Sequence, residues 1–96
     1  MTTNVYAPQA LVQNPSIIST SVGEDLALMS IEKARYYSLD PIASDIWKRF
    51  ESPTNLNDLA GALANDYRGD AQQIRADLHD LIGQFLEQEL LRAAKP

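Results

Sequence analysis

The chain contains no cysteine, a single histidine, four glycines and only eight basic residues among 96. Each scarcity excludes something. Without cysteine there is no disulfide, no thiolate nucleophile and no cysteine-ligated zinc, and a reducing cytoplasm suits such a composition. His79 stands alone and makes no metal site by itself. Asp77 and Asp80, three apart on one expected helix, read as a solvated acidic face. The isolated glycines form no phosphate-cradling pattern. The serines near position 20 have neither a histidine at useful spacing nor the glycines of a nucleophile elbow. No apolar run approaches the roughly 20 residues that span a bilayer. Met1 to Asn14 lacks the basic and apolar regions of a secretory signal. The residues therefore point to no catalytic apparatus, no cofactor and no membrane partner.

Charge excludes a further class. Thirteen acidic residues against eight basic ones give a net charge of −5. Nucleic-acid binding draws much of its affinity from Lys and Arg, and here only Lys48 and Arg49 are adjacent. Nucleic acid is thus not an expected partner.

What is present is one domain with a modest core, 45% hydrophobic. Residues 1–15, polar and carrying Pro8 and Pro15, read as a flexible N-terminal segment, although Val5, Tyr6, Leu11 and Val12 give it something to dock with. The domain proper is expected over 16–92. Ser16 to Ser21 is a first strand, Val22-Gly23-Glu24-Asp25 a turn, Leu26 to Ile31 a second strand and Ala34 to Leu39 a third, joined by a tight connection at Glu32-Lys33. Three helices follow, at about 41–51, 56–67 and 71–89. Asp40 caps the first and Pro41 occupies its first turn. The pair Ser52-Pro53 stops it. Thr54 or Asn55 caps the second, whose buried stripe is Leu56, Leu59, Leu63 and Tyr67. Gly69 suits a left-handed helix end, and Asp70 caps the third. That helix buries a wide stripe of Ala71, Ile74, Leu78, Leu81, Ile82, Phe85 and Leu86. Gly83, unfavourable in mid-helix, implies close packing. Leu90-Leu91 falls in a short extended tail. The fold class is α+β, a three-stranded antiparallel sheet followed by three helices.

Function then has to come from a surface. Alternation puts Tyr37 on the face of Leu39 and Tyr36 with Ser38 on the other face, so at least one tyrosine is outward. The third strand carries one charge, Arg35, and no proline. Sheet edges are normally blunted by such devices, and one left bare reads as a place where a peptide adds as a further strand.

The run Arg35-Tyr36-Tyr37-Ser38-Leu39-Asp40-Pro41 followed by Ile46-Trp47, then Pro53, then Leu56 with Leu59, resembles the PqqD-like family. So do Ile74, Asp77, Leu78 and Leu81 on the third helix and the closing Leu90-Leu91. The likeness covers about 17–91 and is nearest to the standalone recognition elements of lasso-peptide biosynthesis. Glu87-Gln88-Glu89 departs from it, since relatives often carry Lys-Gly there. The resemblance implies a winged-helix-like domain that is not an enzyme. It binds the leader segment of a ribosomally made precursor peptide and hands it to a leader peptidase and a cyclase, in the cytoplasm, as a step of antibiotic biosynthesis. It also implies the site. Ala34, Arg35, Tyr36, Tyr37, Ser38 and Leu39 supply the strand edge, with side-chain contacts from Arg35 and one of the tyrosines. Ile74, Asp77, Leu78, Leu81 and Phe85 line the groove. Two other readings stand beside it. A winged-helix DNA-binding regulator would read DNA with the third helix, whose outer face carries Asp70, Asp77, Asp80, Glu87 and Glu89 against Arg75. An assembly module would pair its N-terminal segment with another subunit.

Overall fold

The computed structural model describes residues 10–94. Eight elements follow one another: β1 (Leu11–Gln13), β2 (Ile17–Val22), β3 (Asp25–Ser30), β4 (Arg35–Leu39), α1 (Pro41–Lys48), α2 (Leu56–Tyr67), α3 (Ala71–Glu87) and β5 (Leu91–Ala93). The sheet β2-β3-β4 is antiparallel throughout, as the alternation predicts. Leu26, Leu28 and Leu39 are buried on its inner face. Tyr37 and Ile17 pack against the same core, while Ile18 and Tyr36 lie outward. Gly23 turns the β2–β3 hairpin with φ 64°, a conformation glycine takes at no steric cost.

The helices start where their caps place them. Asp40 accepts from the Ala43 N–H at 2.8 Å. Asn55, the cap of α2, accepts from the Asn57 N–H at 2.7 Å. Asp70 accepts from the Gln72 N–H at 3.0 Å. α1 packs on β3 and β4, and α2 on α3. Ile46, Trp47 and Phe50 from α1 and the turn after it meet Leu78, Ile82 and Phe85 of α3 in one core with the sheet. Two features at the end of α2 differ from expectation. The left-handed residue after α2 is Arg68 (φ 51°), not Gly69, so the turn forms one position earlier. Tyr67 is 49% exposed because its hydroxyl reaches across to α1 instead of entering the core.

The segment 1–15 is not wholly a flexible lead-in. Val5, Tyr6 and Pro8 lie outside the described residues, but Leu11–Gln13 is a strand paired with β5. Its other side bonds the loop after α1, Leu11 and Thr54 exchanging both backbone hydrogen bonds at 2.9 and 2.8 Å. The physical reason is Leu11, 3% exposed and part of the core. The pairing gives Leu91 and its neighbours a partner that a strand at the end of a chain otherwise lacks. The turn before β4 is also longer than the sequence suggests. Residues 31–34 form it, and Ala34 has φ 53°, so the strand begins at Arg35.

Two stability measurements test this packing. Leu11→Ala is expected to cost about 2–4 kcal/mol, as buried leucine truncations do, lowering Tm by roughly 10 °C or more; an unchanged Tm would return residue 11 to the tail. Gly83 meets nothing within 4 Å where a Cβ would stand, so the expected close packing is absent within the described chain. Gly83→Ala should therefore raise stability by about 0.5–1 kcal/mol, read from urea unfolding.

Candidate functional site

β4 bonds β3 along one side, and its other side bonds no strand among the described residues. No described backbone bonds the N–H and C=O groups on that side. The outer side of β2 likewise pairs with no described strand; beside β4 there is a hollow. This hollow, about 420 Å³, runs between β4 and the second half of α3 and is lined by Tyr36, Tyr37, Ser38, Leu39, Leu81 and Phe85, with Asp40, Ala43, Gln84 and Gln88 completing it.

A second hollow of about 280 Å³ opens among the three helices. Ile42 and Ile46 of α1, Leu63 and Tyr67 of α2, and Ile74, Asp77, Leu78 and Leu81 of α3 line it. Leu81 borders both hollows, which adjoin there and are together called the trough. The helical hollow is mostly apolar and the one beside β4 mixed, and Ile42 is 59% exposed. An apolar side chain delivered here would leave water for a preformed surface.

The eleven residues singled out in the sequence divide accordingly. Tyr36, Tyr37, Ser38, Leu39 and Phe85 line the hollow beside β4, and Ile74, Asp77 and Leu78 line the helical one, with Leu81 in both. Ala34 and Arg35 line neither. Ala34 is held in the turn by its left-handed backbone, and Arg35 is exposed at the start of β4. Both tyrosines reach the hollow, although Tyr36 is 76% exposed and Tyr37 packs on the core. Leu78 is 2% exposed and serves as floor. Asp77 accepts from Gln73 Nε2 at 2.9 Å at the rim. Ile42, Tyr67, Gln84 and Gln88 also line the hollows without being among those eleven. Spacing placed Tyr67 in the buried stripe of α2; the available signal was its place at the helix end, where packing is one-sided.

Beyond the helical hollow, α1 and α2 are tied by a polar cluster. The Tyr67 hydroxyl donates to Asp45 Oδ2 at 2.6 Å, and Arg49 Nη2 donates to Asp45 Oδ2 at 3.2 Å and Asp66 Oδ2 at 2.8 Å. The Tyr67 hydrogen bond, then Arg49, holds the Asp45 carboxyl below its usual range, outweighing burial. The same hydrogen bond raises the Tyr67 phenol, and Asp45 and Asp66 raise Arg49. Among the described residues no group of three or more His, Cys, Asp or Glu is placed to hold a metal ion, and no helix is long and apolar enough to cross a membrane.

With this geometry in view, comparisons place the chain. A family model described as coenzyme PQQ synthesis protein D (PqqD) matches residues 25–91. The solved structure of TbiB1 in complex with the TbiA(beta) leader peptide is similar, with a TM-score of 0.78 and 21% identity, over 88% of this chain and 99% of that one. At that identity the likeness establishes a shared fold. No curated protein matches.

The polar cluster makes a pH prediction. A lowered folded-state pKa at Asp45 contributes stability above the unfolded carboxylate value and loses it as pH falls through the folded value. Tyr67 is opposite: its contribution is present below the unfolded phenol value near 10 and is lost as pH rises through the raised folded one. Tyr67→Phe should therefore cost about 0.2–1 kcal/mol at pH 6–8, the range of exposed charged pairs. In denaturant titrations across pH, the difference from wild type should shrink as pH falls below the ordinary carboxylate range. A difference independent of pH would mean that Asp45 does not carry it.

Proposed function

The chain belongs to the PqqD family, and from that premise we propose that it binds the leader segment of a ribosomally made precursor peptide by strand addition to β4. The bound leader is then presented to a leader peptidase and a cyclase, as in lasso-peptide biosynthesis. The observation that carries the reading is the side of β4 that pairs with no described strand, set against the trough.

An extended peptide on β4 would satisfy its own backbone and the strand's at once, which gives affinity without sequence preference. Alternate side chains would point into the trough over Leu81 and Phe85, and one farther along would reach the helical hollow beside Ile42, which gives preference. The fold shared with TbiB1, whose structure holds a leader peptide, supports this placement. The strands-then-helices order suits a winged-helix-like recognition domain. The role is binding rather than catalysis, and a cysteine-free chain suits the cytoplasm.

Fluorescence anisotropy with a labelled leader peptide tests the reading. Micromolar or tighter binding is expected. Leu81→Ala should weaken it by about 1–3 kcal/mol, as truncation of a central contact does. Ile42→Asp should weaken it similarly while leaving Tm nearly unchanged, because Ile42 is already 59% exposed. Ile18→Asp, on the outer sheet face, should bind as wild type. Absence of binding, or wild-type affinity in both trough variants, would overturn the proposal.

A further inference from the structure

At its Tyr36–Gln88 end the trough meets two left-handed backbone positions that are not glycine, Ala34 at φ 53° and Glu89 at φ 60°. Glu89 follows α3 in a Schellman-type ending. The Leu90 N–H donates to the Phe85 carbonyl at 2.8 Å and the Glu89 N–H to the Leu86 carbonyl at 3.0 Å. Glycine takes that position without penalty, and glutamate does not. The side chain that glycine would lack is in use: Glu89 Oε2 lies 2.5 Å from Lys33 Nζ.

Both partners are anchored through their backbones. Asn14 Nδ2 donates to the Glu89 carbonyl at 2.8 Å. The Lys33 N–H donates to Oγ of buried Ser30 at 3.2 Å. The two side chains are 36% and 65% exposed, and ion pairs so open to water contribute little to stability. Stability therefore does not account for a strained glutamate here. Location does: the pair joins the β3–β4 turn to the residue after α3, next to Tyr36 and Gln88, which line one end of the hollow beside β4, although neither partner lines it itself.

Resting on the reading of β4 as the receiving edge, we propose that Lys33 and Glu89 form a stop that confines an added strand to Tyr36–Asp40. A peptide lying between β4 and α3 has to cross this ion pair to continue past Arg35. At the opposite end β4 closes where the Leu39 carbonyl accepts from buried Ser44 Oγ at 3.0 Å. Lys33 and Glu89 are positioning residues, meeting only the end of the strand.

Hydrogen–deuterium exchange tests the stop in wild type, E89G and the charge-swapped K33E/E89K. The probe is the leader peptide that binds wild type in the anisotropy assay, at saturation. E89G places glycine where the backbone is left-handed, so folding is kept. In wild type, protection should cover 36–40 and leave 31–35 unchanged. In E89G it should spread into 33–35, and the charge swap should restore the confined pattern. Binding with the same protection in wild type and E89G, or wild-type protection that already runs through 33–35, would overturn the stop alone. Absence of peptide binding to wild type would overturn the parent reading and the stop with it.

Discussion

A backbone N–H or C=O group needs a partner, and the structure depends on how β4 meets that requirement. Along one side the strand bonds β3 from Arg35 to Leu39. Its inner face holds Leu39 in the core and Tyr37 against it. Along the other side it bonds no described strand and is open to water, next to partly covered Leu81 and buried Phe85 of α3. Water satisfies the backbone but does nothing for the apolar wall, whereas a polypeptide satisfies both. Everything distinctive about the trough follows from placing these two surfaces side by side.

That juxtaposition is set by a short stretch of local chemistry. Asp40 ends the strand and caps α1 in one residue, with Pro41 preset for the helix. Ser44 then ties α1 back to Leu39, and the Trp47 indole N–H reaches the Leu90 carbonyl at 3.4 Å. α1 is thus fixed to both the strand and the segment after α3, which holds the trough open at a set width. The small β1–β5 pair fastens Leu11–Gln13 to Leu91–Ala93 beside it, with Gln13 Nε2 donating to the Trp47 carbonyl at 2.9 Å.

Much of this was legible in the sequence, because it rests on local rules. Alternation in Leu26, Leu28, Tyr37 and Leu39 identified the inner face of the sheet, and Asp40, Asn55 and Asp70 marked the helix starts. The bare third strand and the apolar stripe of α3 located the trough. What was not legible depends on contacts distant in sequence. β1 is three residues long and acquires its strand character from Leu91–Ala93, some 80 residues away. Tyr67 and Ile42 fit a helical stripe by spacing, yet each sits at a helix terminus where no neighbour covers it. Ala34 and Glu89 adopt left-handed backbone without the glycine that would announce it.

The most direct measurement is isotope-filtered NMR on the labelled chain with an unlabelled leader peptide, reading backbone-to-backbone contacts across the interface. The account predicts cross-strand proton contacts between the peptide and Tyr36–Leu39, together with side-chain contacts to Leu81 and Phe85. A bound peptide whose contacts fall elsewhere, with the β4 resonances unmoved, would contradict it.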